Sequence, residues 1–295
     1  MPSWQARLLS LFLRHTVKRQ LAKAHDVSGI RAVFDRSLYS APSSVGITQA
    51  SLNGVSGEWV EDAHGPQSNQ ILLFLHGGGY VACTPKTHRP YSCFLAQRGF
   101  RVFMPDYRLA PEHPFPAGLD DAVAVYRGLR VEYPDSTIAI AGDSAGGGLA
   151  LAVMLRLRDE GNLLPGAAAL FSPLTNLTDA GGSRVSNDGR CAMFHGKGLA
   201  TIPGYYAPGA EMRNPFLSPV YADFKGFPPL LIHVGEDETL RDDSVRLAAR
   251  AREAGVRVDL KLWPAVSHDW QLMYRFVPEG RASLEEAAAF LKGRS

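Results

Sequence analysis

Short apolar runs alternate with longer amphipathic stretches along most of this chain. An apolar run between turn residues predicts a buried strand, and apolar residues at every third or fourth position predict a helix. Residues 46–61 predict two antiparallel strands joined at Asn53-Gly54, and strands and helices alternate after them. Strands are predicted at 71–75, 101–106, 137–141, 167–171, 230–234 and 256–263, and helices at 89–97, 117–132, 145–159, 242–254 and 281–292. This alternation predicts an α/β fold with a mostly parallel central sheet and helices on both faces.

The beginning of the chain lies outside this alternation. Residues 4–23 combine apolar residues at helical spacing with basic residues, which predicts an amphipathic helix. Such a helix packs on the body of the protein, which is the commoner case, or it is a membrane-surface helix or a transit peptide. A second helical segment is expected at 29–38. The apolar positions of the first helix are Trp4, Leu8, Leu11, Phe12 and Leu21.

A second departure from the alternation lies in the middle of the chain, at residues 175–219. This stretch is irregular and rich in Gly, Pro and Asn, with apolar residues such as Phe194, Tyr205 and Tyr206. An irregular connection of this length in a compact domain usually carries function. We therefore expect an insertion with short helices that lies over the top of the sheet.

Composition excludes several classes of protein. The chain has 295 residues, of which 45% are hydrophobic and 20% charged, so it can bury a large core. A net charge of +2 argues against a nucleic-acid-binding surface. Cys83, Cys93 and Cys191 are widely spaced, which predicts no disulfide framework and no zinc site, and favours the reducing cytoplasm. The apolar runs are too short to span a bilayer, so no stable membrane anchor is expected.

The segment Gly142-Asp143-Ser144-Ala145-Gly146 carries the first sign of catalytic chemistry. The pattern Gly-x-Ser-x-Gly is weak alone, but here it joins a predicted strand to a predicted helix. That is the context of a nucleophile elbow, a strained turn that presents the serine hydroxyl above the sheet. The N–H of Ala145 would lie at a helix N-terminus, where it can bind a developing oxyanion.

A glycine-rich loop, His76-Gly77-Gly78-Gly79, follows the predicted strand at 71–75. Consecutive glycines let backbone N–H groups approach a ligand, so this loop is a candidate for the second half of an oxyanion hole. The loop has neither the Gly-Lys-Ser/Thr ending nor the G-x-G-x-x-G spacing of phosphate-binding loops. His76 is expected to be structural, because in chain order it precedes the nucleophile.

A serine nucleophile also needs a base and an acid, in the chain order Ser, acid, His. His268 follows the last predicted strand and is the one histidine that lies downstream of the carboxylates at 236–243. Asp242 and Asp243 are expected to cap the next helix, which leaves Glu236, Asp237 and Glu238 as candidates for the acid. In the loop at 106–117, Arg108 and Glu112 are spaced for an ion pair.

Together these segments resemble the hormone-sensitive-lipase-like family of α/β-hydrolases, known as bacterial family IV esterases. The resemblance rests on His76-Gly77-Gly78-Gly79, the run from Asp106 to Glu112, the elbow in its Gly-Asp-Ser-Ala-Gly form, and the His268 loop. It implies an α/β-hydrolase fold at 46–295, a cap made of N-terminal helices at 1–45 and the insertion at 175–219, and a homodimer formed through the strand at 256–263. No metal or cofactor is implied.

The resemblance also assigns roles to individual residues. Ser144, His268 and Glu238 match the catalytic triad, with Asp237 as the reserve for the acid, and Gly78, Gly79 and Ala145 match the oxyanion donors. Family members often have glycine after the base, whereas Asp269-Trp270 follows it here, which changes the local pocket. Candidates for contact with substrate are Gly77, Asp143, Trp4, Leu8, Phe12, Tyr205 and Tyr206.

The expected function is therefore that of a serine carboxylesterase acting on a small-molecule ester. By resemblance, the covered pocket favours short- to medium-chain acyl groups. The same triad also cleaves amides, thioesters and carbamates, and the sequence does not separate these substrates. A non-catalytic ligand-binding protein on the same scaffold is a further alternative, and the presence of His268 argues against it.

Overall fold

One sheet of eight strands forms the centre of the molecule. The computed structural model describes residues 1–35, 39–65, 69–178 and 181–293. The strands lie side by side in the order β1-β2-β4-β3-β5-β6-β7-β8. They are β1 (Val45–Leu52), β2 (Val55–Asp62), β3 (Gln70–Leu75), β4 (Arg101–Pro105), β5 (Thr137–Asp143), β6 (Ala168–Phe171), β7 (Leu230–Gly235) and β8 (Val258–Trp263).

The first two strands form the predicted hairpin. β1 and β2 pair antiparallel in a register that sets Leu52 opposite Val55, so the turn consists of Asn53 and Gly54. Both turn residues have positive φ, of 47° and 83°, which suits asparagine and glycine. β2 also pairs antiparallel with β4, and the remaining neighbours are parallel. The carboxyl ends of β3 to β8 therefore meet at one edge of the sheet.

Helices cover both faces of the sheet, which confirms the predicted fold class. Successive residues of β3 point to opposite sides: Leu73 belongs to the apolar layer on one face of the sheet, and Phe74 belongs to the layer on the other face. Each of the two apolar layers is a continuous cluster of buried side chains. The layer that contains Leu73 includes residues of α5 (Ala117–Glu132), α6 (Ser144–Asp159) and α10 (Arg241–Glu253). The layer that contains Phe74 includes residues of α4 (Arg89–Ala96) and α11 (Pro278–Leu291).

The N-terminal region begins with two helices in place of the single helix predicted at 4–23. They are α1 (Trp4–His15) and α2 (Val17–Leu21), separated at Thr16, whose φ of −113° and ψ of −80° are not helical. The Thr16 hydroxyl donates to the carbonyl of Phe12. α3 (Val27–Phe34) follows, and the end of the segment predicted at 29–38 lies outside the described residues. α1 packs Ala6 and Leu9 against a cluster that includes Trp263, Trp270 and Val277.

The insertion at 175–219 contains three short helices, as expected, although residues 179 and 180 lie outside the described part. The helices are α7 (Ser183–Ser186), α8 (Gly196–Leu199) and α9 (Ile202–Tyr206). N-terminal side chains hold the insertion, because Arg14 donates to the Gly189 carbonyl at 2.9 Å and Lys18 donates to the Cys191 carbonyl at 2.8 Å. These hydrogen bonds join the N-terminal helices to the insertion.

Two expectations about Asp242 and Asp243 are corrected by the structure. Neither side chain caps α10, although both lie in its first turn. Asp243 is buried and accepts the N–H groups of Thr175 and Asn176, each at 3.0 Å. Asp242 accepts the N–H of Ser183 at 2.9 Å. Both carboxylates thus anchor the insertion, because the folded chain places backbone N–H groups of the insertion within hydrogen-bond distance of them.

The ion pair predicted between Arg108 and Glu112 is also wrong. Arg108 instead binds Asp121 of α5, with Nη2 at 2.7 Å from Oδ1. Glu112 binds Arg31 of α3 through two contacts of 2.7 and 2.6 Å. Arg31 also donates to the Val81 carbonyl at 2.8 Å, so the loop after β4 joins α3 to the region of the glycine loop.

Within the described ranges, no helix is both long enough and apolar enough to cross a membrane.

Candidate active site

The elbow forms as predicted between β5 and α6. β5 ends at Asp143, and Ser144 is the first residue of α6, with a positive φ of 50°. A Cβ on Gly146 would lie 2.0 Å from the Leu75 carbonyl oxygen, so no side chain fits there. Ser144 is 7% exposed, at the edge of the sheet where the parallel strands end. Sequence and packing thus combine to hold the serine in a strained turn.

The glycine loop lies directly against this elbow. A Cβ on Gly77 would stand 3.1 Å from the Cβ of Ser144. Gly78 and Gly79 have positive φ values of 109° and 64°. Among the hydrogen bonds of the described residues, none uses the N–H of Gly78 or of Gly79. Ala145 is the second residue of α6, where an N–H has no carbonyl partner within the helix. These three N–H groups are the donors predicted for the oxyanion hole.

Asp143 and Gly77, both candidates for substrate contact, bind each other. The Asp143 side chain is fully buried and accepts the N–H of Gly77 at 3.1 Å. Its other oxygen lies 3.0 Å from Nε2 of His88, a partner that the sequence analysis missed. Burial raises the pKa of Asp143, but His88, together with His76 and His268, lowers it by more, so the pKa lies below its usual value. The placement gives Asp143 a positioning role, since it fixes the glycine loop beside the serine.

His76 has the structural role expected for it. Its ring stacks on Tyr107 with the centroids 4.4 Å apart, and its Nδ1 lies 2.7 Å from the Gly77 carbonyl oxygen. Burial and the neighbouring His88 lower the pKa of His76 to about 3. A neutral ring so placed supports the glycine loop.

The loops after β7 and β8 bring Glu238 and His268 together. Oε2 of Glu238 lies 2.6 Å from Nδ1 of His268, and both side chains are 2% exposed. The other oxygen of Glu238 accepts the Ser172 hydroxyl and the Gly235 N–H, each at 2.6 Å. Ser172 follows β6 and was not identified from the sequence, because no local motif marks it. The Glu238 carboxylate is therefore fixed on three sides with one oxygen aimed at the imidazole.

The competing carboxylates of this loop lie elsewhere. Asp237 is the second candidate for the acid of the triad. Its side chain is 41% exposed, and its Oδ1 lies 3.5 Å from Nε of Arg190. Glu236 is exposed. Of the three candidates left open by the sequence, Glu238 is thus the one that contacts His268.

A further carboxylate stands on the opposite side of the imidazole. Oδ2 of Asp269 lies 3.1 Å from Nε2 of His268, a distance typical of an ion pair. The hydrogen bonds of the described residues include none to that nitrogen, from either Asp269 or Ser144. Burial alone would lower the pKa of His268, but Asp269 and Glu238 raise it well above its usual value. Burial likewise raises the pKa of Asp269 to about 7, against the opposing effect of His268.

Residues of the insertion contact the catalytic elements from above. Phe194 meets the His268 ring edge to face, with the centroids 4.8 Å apart. A Cβ placed on Gly79 would lie 3.0 Å from Cδ1 of Ile202, so this side chain lies close to the glycine loop. Tyr206 is buried and stacks on Tyr80, just after the glycine loop, at 3.9 Å. Aromatic and branched side chains of the insertion thus pack against the imidazole and the glycine loop.

The other pocket candidates lie farther out. Trp4, Leu8 and Phe12 are 65%, 49% and 59% exposed on the outer face of α1. Trp4 packs edge to face on Phe276. Tyr205 is half-buried, and its hydroxyl lies 3.5 Å from the His25 carbonyl oxygen. These placements do not support direct contact between the three α1 residues and a short acyl group.

In the portion that the structure describes, no group of three or more His, Cys, Asp and Glu side chains is arranged to hold a metal ion.

A mostly parallel sheet with a serine at a strand-to-helix elbow is the arrangement of α/β-hydrolases. A family model described as the α/β-hydrolase fold matches residues 72–272. An acetyl-hydrolase of Streptomyces hygroscopicus is 38% identical over 272 residues, which cover 90% of each chain. The crystal structure of an esterase from the bacterial hormone-sensitive lipase family is 35% identical, with a TM-score of 0.92 and coverage of 100% of this chain and 99% of that chain. EstE5, in a crystal soaked with p-nitrophenyl butyrate, is 34% identical, with a TM-score of 0.93 and 99% coverage of both chains.

The chain therefore belongs to the α/β-hydrolase family and, within it, to the hormone-sensitive-lipase-like group. This confirms the resemblance found from the sequence motifs.

Proposed function

We propose that this protein is a serine carboxylesterase that hydrolyses esters of short- to medium-chain acids through Ser144, His268 and Glu238. The comparisons confirm the class of enzyme, a carboxylic ester hydrolase, since the relatives are an acetyl-hydrolase and esterases. The catalytic residues and the acyl range are our proposal. The observation that carries it is the 2.6 Å contact between Glu238 and His268 beside the strained elbow of Ser144.

In the first half of the reaction, Ser144 attacks the ester carbonyl as His268 takes the proton from its hydroxyl. Glu238 holds the Nδ1–H of the imidazole and stabilises the imidazolium that forms. The carbonyl oxygen gains negative charge and accepts hydrogen bonds from Gly78, Gly79 and Ala145. These donors do not need to reorganise, because the elbow and the Asp143–Gly77 bond already hold them in place.

In the second half, the departing alcohol takes the proton from His268 and leaves an acyl group on Ser144. Water then gives a proton to His268 and attacks the acyl carbon. Collapse of this second tetrahedral intermediate releases the acid and returns the proton to Ser144. Every proton moves through Nε2 of His268, so the cycle needs no metal or organic cofactor.

The proposed acyl range rests on the apolar cover over the site. Phe194 and Ile202 stand close to the imidazole and the glycine loop, and we propose that they bound the acyl pocket together with Tyr206. Trp4, Leu8, Phe12 and Tyr205 are then placed at the outer rim. In support, one relative is named as an acetyl-hydrolase, and a neighbour's crystal was soaked with a butyrate ester.

A panel of p-nitrophenyl esters tests this range. We expect kcat/KM to be highest for acetate to octanoate and to fall at least about tenfold for palmitate, because a long chain outgrows the pocket. Undiminished palmitate hydrolysis would contradict the proposed range. The panel includes amide, thioester and carbamate analogues of butyrate, and a larger kcat/KM for one of them would reassign the bond that is cleaved.

The expected two-part cap, homodimer and cytoplasmic location are also part of the proposal. The cap is supported by the hydrogen bonds that join α1 and α2 to the insertion. All three cysteines are buried and unpaired, which agrees with a reducing compartment. Among the described strands, β8 lies at one edge of the sheet with β7 as its neighbour, and Leu262 on it is 38% exposed.

Light scattering coupled to gel filtration tests the dimer. We expect the wild-type protein to have about twice the chain mass of 32.0 kDa. Leu262→Lys should shift it toward the single-chain mass, because a charge at an edge strand opposes pairing with a second copy. A wild-type protein that elutes at the single-chain mass would exclude the dimer.

A further inference from the structure

The imidazole of His268 lies between two carboxylates. Glu238 contacts Nδ1 at 2.6 Å, and Asp269 faces Nε2 at 3.1 Å. Asp269 is 8% exposed, and its other oxygen, Oδ1, has no hydrogen-bond partner among the described residues. The proposed mechanism uses Glu238 but leaves Asp269 without a role.

The 3.1 Å distance constrains where a proton can be. A neutral imidazole with its proton on Nδ1 presents a lone pair at Nε2, and an ionised carboxylate presents lone pairs as well. A carboxylate 3.1 Å from Nε2 repels a lone pair on that nitrogen and attracts an imidazolium, so this arrangement favours a proton on Nε2. While Nε2 holds that proton, it has no lone pair to accept the proton of Ser144.

The surroundings favour retention of this proton. His88 lies beside Asp143 at 3.0 Å, so these two residues can balance each other's charge. That leaves two carboxylates, Glu238 and Asp269, facing a single imidazole in a buried site. The titratable groups that surround Asp269 are His268 and Glu238 from the loops after β8 and β7, Asp143 from the elbow, Cys83 after the glycine loop, and His88 and Tyr91 at the start of α4.

The backbone fixes Asp269 in this position. Its φ of 51° and ψ of 38° lie in the left-handed region, and the next residue, Trp270, is fully buried. Asparagine and glycine tolerate this conformation better than other residues do. Substitutions to these two residues therefore remove the charge with little cost to the backbone.

We propose that Asp269 is a positioning residue that holds a proton at Nε2 of His268, and that the enzyme becomes active only as this proton leaves. The inference rests on the proposed function, in which neutral His268 is the base. Loss of the proton to solvent leaves two facing lone pairs, which separates Oδ2 from Nε2. The freed Nε2 can then accept the hydrogen bond of the Ser144 hydroxyl. Asp269 thereby sets the pH at which the enzyme becomes active.

The pH dependence of kcat/KM for p-nitrophenyl butyrate tests this role, with release followed at the isosbestic wavelength of p-nitrophenol. Activity should rise with pH, because neutral His268 is required, and Asp269 moves the midpoint of that rise upward. Asp269→Asn and Asp269→Gly should lower the midpoint by about one pH unit or more. At one unit below the wild-type midpoint, each variant should retain about fivefold more of its own plateau than the wild type does.

The control is Glu253→Gln, which removes one exposed charge from α10 and should leave the midpoint unchanged. Equal midpoints for the wild type and Asp269→Asn would overturn the proposal. So would a variant that loses only its plateau rate, since that outcome indicates a purely structural role.

A direct titration of His268 covers the case in which the Asp269 variants do not fold. Histidine-labelled Ser144→Ala protein would be titrated by NMR, and the His268 signal assigned by its loss in a second protein that also carries His268→Gln. We expect a midpoint well above the ordinary histidine value of about 6.5. A midpoint at or below that value would overturn the proposal. Failure of a fluorophosphonate to label wild-type Ser144 would instead overturn the proposed function.

Discussion

Replacement of Ser144 by alanine should lower kcat/KM for p-nitrophenyl butyrate by about 10⁴-fold or more. The hydroxyl is the proposed nucleophile, and its loss removes the acyl-enzyme route while the oxyanion donors stay in place. Serine hydrolases that lose the nucleophile retain only the residual catalysis of the oxyanion hole and substrate binding. A loss of this size corresponds to about 5.5 kcal/mol of transition-state stabilisation. Steady-state rates, corrected for spontaneous hydrolysis, measure it.

Covalent labelling gives this prediction a second readout. A fluorophosphonate should modify the wild-type protein on the peptide that contains Ser144 and should leave Ser144→Ala unmodified. Ser28→Ala is the matched control, because that hydroxyl bonds Asp26 at the start of α3. It should keep both its rate and its label. If Ser144→Ala kept more than about a tenth of wild-type activity, the nucleophile assignment would be wrong.

Replacement of Glu238 by glutamine should lower kcat by about 10³- to 10⁴-fold. The carboxylate accepts the Nδ1–H of His268 at 2.6 Å and so selects the tautomer whose Nε2 is free to take a proton. A glutamine N–H at this position donates to Nδ1 and favours the opposite tautomer, with the proton on Nε2. KM should change much less, because Glu238 is buried beneath the imidazole and does not face the substrate.

Asp237→Asn separates the two candidates for the acid. Asp237 is 41% exposed and lies near Arg190, so its substitution should change kcat less than about twofold. Circular dichroism of both variants would verify that they fold. A large loss for Asp237→Asn together with wild-type activity for Glu238→Gln would reverse the assignment.

The elements of the fold could be predicted because each depends on neighbours in sequence. Asn53-Gly54 marks a two-residue hairpin since both positions need positive φ, and the structure has that turn there. The apolar runs that become β3 to β7 predict strands buried on both faces, and these strands are almost wholly buried. The elbow is similarly local, because Gly142 and Gly146 flank Ser144 within one strand-to-helix turn.

The partners of charged side chains could not be predicted in this way. Arg108 has Glu112 four residues away in sequence, yet it binds Asp121, and Glu112 binds Arg31. Asp242 and Asp243 begin a helix but bind backbone groups of the insertion. In each case several partners are possible locally, and the packing of distant segments decides which one lies within hydrogen-bond distance.

The same division applies to the site. The sequence by itself determined the strand order in the chain, the strained serine turn, the glycine loop and the position of His268 after the last strand. The residues left three candidates for the acid and the resemblance pointed to Glu238, which in the structure contacts Nδ1. Only the tertiary structure decided that Ser172 holds it, that Asp143 binds His88, and that Asp269 lies beside Nε2. The physical reason is how far apart in sequence the interacting residues lie. Backbone conformation follows from adjacent residues, whereas the protonation and orientation of a buried imidazole depend on charges that several separate loops bring together.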